Sequence, residues 1–69
     1  MISVDSRGKR CPIPIIELAK AMKAASPGEE GLLLADDPAA APDLQAWCRM
    51  TGHEYLGSDG ARHRVRKPD

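Results

Sequence analysis

The sequence has no phenylalanine, one tryptophan and one tyrosine, Tyr55. With so few aromatic faces there is no platform on which unpaired bases could stack. A surplus of positive charge is also missing. Ten Lys and Arg are balanced by ten Asp and Glu, whereas domains that bind nucleic acid usually carry a basic excess. No apolar run approaches the roughly 20 residues of a membrane span. The opening Met1-Ile2-Ser3-Val4-Asp5 shows neither the basic start nor the apolar stretch of a secretion signal. The expected location is therefore the cytoplasm, with no membrane partner and no direct nucleic-acid contact. Cysteine is scarce too: Cys11 and Cys48 form no Cys-x-x-Cys pair, which removes dithiol exchange within one motif. Their spacing to His53 and His63 matches no usual zinc pairing, so no metal is expected. No organic cofactor is implied.

What is present fits a single domain over residues 1–69. A chain of this size buries only about 60% of the surface that it exposes when unfolded. It has no room for both a core and a deep substrate cavity, so chemistry belongs at its surface. A chain this small can work as a monomer, with a partner protein supplying part of the site.

The apolar pattern divides the chain into six elements. Ile2 to Asp5 reads as a short strand, and Ser6 to Arg10 as a polar loop. Pro12 and Pro14 then open a helix, where amide hydrogens have no intrahelical partner to lose. Ile15, Leu18 and Met22 form its inner stripe. It must stop near Ala25, because Ser26 precedes Pro27, and Pro27-Gly28 suits a type II turn. Gly31 to Ala35 is a continuous apolar run, read as a buried strand. Asp36-Asp37-Pro38 breaks it, and a second helix follows from about Ala39 to Met50. Its expected inner face is Leu44, Trp47, Cys48 and Met50 or Thr51, and Gly52 closes it in the left-handed conformation. Glu54–Ser58 and Ala61–Lys67 read as two strands joined by a tight Asp59-Gly60 turn. In the last strand Arg62, Arg64 and Arg66 alternate with His63 and Val65. The order β-α-β-α-β-β implies an α/β two-layer sandwich: two helices on one face of a four-stranded mixed sheet.

This order places Cys11 after the carboxyl end of the first strand and before the first helix. Open α/β sheets bind ligands at that edge. A helix start carries about half a positive charge, and Arg7, Lys9 and Arg10 add full charges nearby. Both effects are expected to favour the thiolate, the nucleophilic form, and to support a persulfide anion. Asp37 should share this edge. Its simplest role is to flank or cap the second helix, with pairing to Arg10 or partner docking as alternatives. A carboxylate beside Cys11 would oppose the thiolate, so a general-base role is not expected. Cys48, on the apolar face with Leu44 and Trp47, reads as a buried core thiol. The residues alone support only a nucleophilic or redox thiol at Cys11.

The run Asp5-Ser6-Arg7-Gly8-Lys9-Arg10-Cys11-Pro12-Ile13-Pro14 resembles the D-x-x-G-x-x-C-P-x-P signature of the TusA/SirA-like sulfur-carrier family. The likeness continues through Pro27-Gly28, Ala35-Asp36-Asp37-Pro38, Trp47-Cys48 and Gly52-His53-Glu54-Tyr55-Leu56. The resemblance implies the same two-layer fold and a sulfurtransferase activity. In that reading Cys11 accepts sulfane sulfur from a cysteine desulfurase or a rhodanese-like donor. It then relays the sulfur to an acceptor protein, in the best-known branch toward 2-thiouridine of transfer RNA. Arg7, Lys9, Arg10, Pro12, Pro14 and Asp37 would support the sulfur anion or dock the partner. Two other readings compete: a docking module of a transport or regulatory system, and a redox thiol that forms mixed disulfides.

Overall fold

A computed structural model describes residues 1–69. Its elements are β1 (Ile2–Asp5), α1 (Ile13–Met22), β2 (Glu30–Leu34), α2 (Ala40–Thr51), β3 (Glu54–Asp59) and β4 (Arg62–Arg66). The four strands form one sheet in the order β1-β2-β4-β3. β1 and β2 run parallel, with Ile2 opposite Gly31 and Asp5 opposite Leu34. The other two pairings are antiparallel. The mixed α/β sandwich expected from the order of elements is thus the observed fold. No helix is long and apolar enough to cross a membrane.

The side chains sort by the period of each element. On the strands, Gly31, Leu33, His63 and Val65 are buried on the helix-facing side, while Arg62, Arg64 and Arg66 stay exposed on the other. Ile15, Leu18 and Met22 of α1 and Ala40, Leu44 and Cys48 of α2 close the core from above. Leu18, Leu33, Leu44 and Val65 are fully buried, and each such side chain contributes about 1.5–3 kcal/mol by leaving water. Gly31 is needed for this packing: a Cβ there would lie 2.5 Å from Met22 Sδ. The inner face of α2 is narrower than its sequence suggests. Met50 is 84% exposed and Thr51 is also exposed. Trp47 sits at the rim, its ring 4.3 Å from that of His53. The buried stripe follows i, i+4, i+8 from Ala40, and Met50 falls on the far side of the helix.

Element boundaries shift by one to three residues from expectation, most plainly at α1 and the hairpin. α1 ends at Met22, and the chain tightens through Ala24 N to Ala21 O and Ala25 N to Met22 O before the turn at Pro27-Gly28. Pro12 is the N-cap of α1, and Pro14 is its second helical residue. The hairpin turn is Gly60-Ala61, because Asp59 and Arg62 pair across the ladder. Gly60 has φ +59 and no non-glycine residue has positive φ, the sign pattern of a type II′ turn with glycine first. The register is one residue later than the Asp-Gly pair suggests.

The carboxyl ends of β1 and β2 lie side by side, since parallel neighbours end at one edge. The starts of α1 and α2 follow directly from them. The β3–β4 turn reaches the same edge through the bond from Ala35 N to Ala61 O, 2.9 Å.

Candidate functional site

Cys11 stands at this shared edge, half-buried and packed against the rim of the core. The loop that carries it is held by backbone and side-chain bonds from two directions. Ser6 N donates to Leu34 O at 2.7 Å and Lys9 N to Ser6 O at 3.2 Å. From the β2–α2 loop, Asp36 Oδ1 accepts Gly8 N at 3.0 Å and Asp37 Oδ2 accepts Cys11 N at 3.1 Å. Asp37 Oδ1 also accepts Ala39 N at 2.8 Å. One carboxylate therefore ties the cysteine loop to the start of α2. The expected capping role of Asp37 is present, joined by a contact with Cys11 that only the fold brings about.

Two of the three cations beside Cys11 in sequence, Arg7 and Lys9, are taken up in ion pairs. Arg7 pairs with Asp5, Nη2 to Oδ2 at 2.9 Å and Nε to Oδ1 at 3.0 Å, and this holds the Asp5 carboxyl down to about 2. Lys9 Nζ lies 2.7 Å from Glu17 Oε2, and Ser6 Oγ donates to the same carboxylate. Those two bonds lower the Glu17 pKa, Lys9 first. Arg10 is exposed and takes no ion pair. Its charge helps keep Asp37 ionised, after the amides of Ala39 and Cys11.

Nor does the start of α1 offer its usual set of amide donors. The N-cap Pro12 and the second residue Pro14 have no N–H, and Ile13 N is taken by Arg10 O at 2.9 Å. Ile16 N closes on Pro12 O at 3.0 Å, which leaves Ile15 as the only first-turn amide without a backbone acceptor. Against this weakened positive end stand two carboxylates. Burial raises the Cys11 pKa most; the charge of Asp37 and the charge and acceptor oxygen of Asp43 raise it further. The thiolate-favouring field expected from Arg7, Lys9, Arg10 and the helix start is therefore corrected in direction: burial first, then Asp37 and Asp43, oppose ionisation of Cys11. Cations two to four residues away along the chain are bound elsewhere, while carboxylates distant in sequence are close in space.

Asp43 was missed by reading along the chain. It occupies the first turn of α2, and two helices that start at one sheet edge bring their first turns together. That signal was available from the order of elements. Ile13 and Ile16, also unremarked, are 47% and 48% exposed on the first turns of α1 beside Cys11. Pro14 is buried in the core and fixes the entry of α1. Cys48 is 3% exposed, and burial alone pushes its thiol up to about 11. His63, 4% exposed, bridges Ala35 O at 3.1 Å and Ser58 Oγ at 2.6 Å, which braces the strand end that leads into Asp36 and Asp37. A depression of about 270 Å³ beside this loop is lined by Asp36, Asp37, Ser58 and His63 and does not include Cys11. No three His, Cys, Asp or Glu side chains converge as metal ligands. An accessible thiol on a braced loop can exchange sulfur with another protein that docks over the edge.

Comparison with known proteins points the same way. The family model described as "Sulfurtransferase TusA" matches residues 2–67. A Bacillus subtilis protein named "Putative sulfur carrier protein YrkF" is 41% identical over 70 residues, covering 96% of this chain and 38% of that protein. The chain thus spans well under half of that relative's length. An Archaeoglobus fulgidus protein named "Putative sulfur carrier protein" is 39% identical over 56 residues, covering 81% of this chain and 77% of that one. The crystal structure of the SirA-like protein from Desulfitobacterium hafniense superposes with a TM-score of 0.79 at 28% identity, covering 100% of both chains.

Proposed function

The chain belongs to the TusA sulfurtransferase family, and from that membership we propose that it is a sulfur carrier whose working atom is Cys11 Sγ. The ionised thiol attacks the outer sulfur of a donor persulfide, R–S–SH. A new S–S bond forms at Cys11, the donor S–S bond breaks, and the donor departs as the thiolate R–S⁻. Cys11 is left as Cys–S–SH, and a second exchange hands the outer sulfur to an acceptor thiolate by the same electron bookkeeping. No metal or organic cofactor enters either step.

The observation that carries this reading is the contrast in access: Cys11 is half-buried on a loop braced at the sheet edge, while Cys48 is sealed in the core. Exposed Ile13 and Ile16 offer an apolar landing beside the thiol, and large exposed apolar side chains are at home in partner contacts. The donor class is a cysteine desulfurase or a rhodanese-like protein, and the acceptor is a further relay protein. Delivery toward thiolated transfer RNA or another sulfur pathway lies beyond that acceptor. A redox role through an internal disulfide is disfavoured, because Cys48 would have to leave the core to resolve Cys11.

The test is intact-mass analysis after incubation with a cysteine desulfurase, its pyridoxal phosphate cofactor and cysteine. The protein should gain one sulfur on the Cys11 peptide, released by reductant. Cys11→Ser should show no gain and Cys48→Ala should retain it. An undiminished gain in Cys11→Ser would sink the assignment, as would a wild-type protein that gains nothing from either donor class.

A further inference from the structure

β4 lies between β2 and β3, and its buried side chains are His63 and Val65. A polar ring in such a place must have its hydrogen bonds met within the protein. His63 is 4% exposed, and both ring nitrogens are engaged: Nε2 lies 3.1 Å from Ala35 O and Nδ1 lies 2.6 Å from Ser58 Oγ. A carbonyl oxygen can only accept, so Nε2 carries the ring proton. In the neutral ring Nδ1 then accepts the Ser58 hydroxyl, and Ser58 Oγ in turn accepts the Tyr55 hydroxyl. The carbonyl of Ala35 thereby sets the direction of every bond in this chain.

That carbonyl stands where β2 leaves the sheet. Ala35 follows the last β2 pair, Leu34 with Arg62, and donates its amide to Ala61 O at 2.9 Å. Its carbonyl takes no backbone amide and Ala35 is 1% exposed, so His63 supplies the donor that the strand ladder does not. The next two residues are Asp36 and Asp37, whose carboxylates hold Gly8 N at 3.0 Å and Cys11 N at 3.1 Å. Packing alone does not fix this segment. The depression of about 270 Å³ runs beside it, with Ala35, Asp36, Asp37, Pro38 and His63 in its lining. We propose that His63 is a positioning residue for sulfur transfer: through Ala35 it aims the two aspartates, and through them the loop that presents Cys11 Sγ. The proposal rests on the reading of Cys11 as the transfer thiol. The His63 ring is committed to Ala35 and Ser58 and closed off from a docked protein, so it acts on geometry and not on binding.

The test separates aim from docking and from stability. His63→Leu fills a similar space and removes both ring bonds, while His63→Gln keeps an N–H that can reach Ala35 O. Sulfur transfer is followed in a single turnover from the preloaded desulfurase or rhodanese-like donor, across donor concentration. His63→Leu should lower the maximal rate about tenfold, because misplacing a reacting atom by a fraction of an ångström is costly. The half-saturating donor concentration should stay within about twofold, because no docking contact is lost. His63→Gln should recover most of the rate. Amide exchange at Gly8 and Cys11 should quicken about tenfold in His63→Leu, while the ladder amides of Leu33 and Val65 change by less than about twofold. Ser58→Ala should move rate and exchange the same way by a smaller amount. In the wild type, proton–nitrogen correlation spectra of the ring should place its proton on Nε2.

A folded His63→Leu variant with an unchanged maximal rate overturns the proposal. So does weaker half-saturation at a preserved maximal rate, which would put His63 in docking. Protection lost equally at Gly8, Cys11, Leu33 and Val65 also overturns it, as the mark of a general loss of stability. A His63→Gln variant no faster than His63→Leu does the same. If His63→Leu does not fold, the wild-type ring and Ser58→Ala decide: a ring proton on Nδ1, or a Ser58→Ala protein that matches the wild type, overturns the assignment. A wild type that takes up no sulfur ends the carrier reading and this proposal with it. Sulfur loading that His63→Leu leaves untouched ends this proposal alone.

Discussion

Cys11 and Cys48 are both harder to ionise than an ordinary thiol, but for reasons of different kinds. Cys48 lies 3% exposed on the inner face of α2, and burial is the sole cause of its rise. At Cys11 partial burial is joined by the charges of Asp37 and Asp43. Burial in a core is undone only by unfolding. The carboxylate contribution at Cys11, which comes second to burial, is a surface field and weakens with salt. The comparison teaches that a raised thiol pKa does not by itself mark an inert cysteine; the cause decides how far solution conditions can shift it.

The largest expected effect is in reactivity. Iodoacetamide at neutral pH should label Cys11 in the native protein, while Cys48 should be modified at least about a thousandfold more slowly. Its exposure requires global opening, which costs several kcal/mol. Peptide mapping by mass spectrometry reads both sites in one sample, and comparable labelling of the two would erase the distinction. Next comes alkaline pH. The folded Cys48 ionises at about 11 against an ordinary value of 9.0. Above pH 9 the unfolded chain releases this proton and the native state keeps it, so stability falls as pH rises. The loss should total about 2 kcal/mol by pH 11, at about 1.4 kcal/mol per pH unit. Urea unfolding of the wild type against Cys48→Val isolates this contribution, because the variant cannot show it.

A smaller effect separates the two sites at neutral pH. Cys48→Ser buries a hydroxyl in an apolar face and should cost about 1–3 kcal/mol. Cys11→Ser should stay within about 0.5 kcal/mol of the wild type, and urea midpoints compare the two directly. The smallest effect lies at acid pH. The amides of Ala39 and Cys11 depress the Asp37 pKa, and Arg7 depresses that of Asp5 to about 2. Each contributes stability that is present above the unfolded carboxylate value near 4. That contribution is lost as pH falls through the folded value, so the protection factors of the Cys11 and Ala39 amides, both held by Asp37, should fall below pH 4 before the core unfolds.

Much of this architecture was legible along the chain. β1 spans Ile2–Asp5 as the alternation implied, and β2 differs from the apolar run by one residue at each end. Gly52 closes α2 with its amide on Cys48 O. Cys11 and Asp37 reach one edge because parallel strands end together. The hairpin slipped by one residue, since Asp59 is needed as the partner of Arg62. Inner and outer positions at the end of α2 were misjudged because Met50 is apolar yet faces solvent. The sign of the field at Cys11 was the larger miss. Lys9 is drawn to Glu17, eight residues on, and Asp37 reaches Cys11 from 26 residues away.

The sequence by itself determined the order of elements, the pairing of apolar faces and the placing of a proline-flanked cysteine at a sheet edge. Those follow from periodicity and from residues whose backbone preferences act locally. Only the tertiary structure decided which charges surround the thiol. Coulomb interactions fall off with distance through space, and the distance between two side chains is set by packing, however close or far apart they lie along the chain.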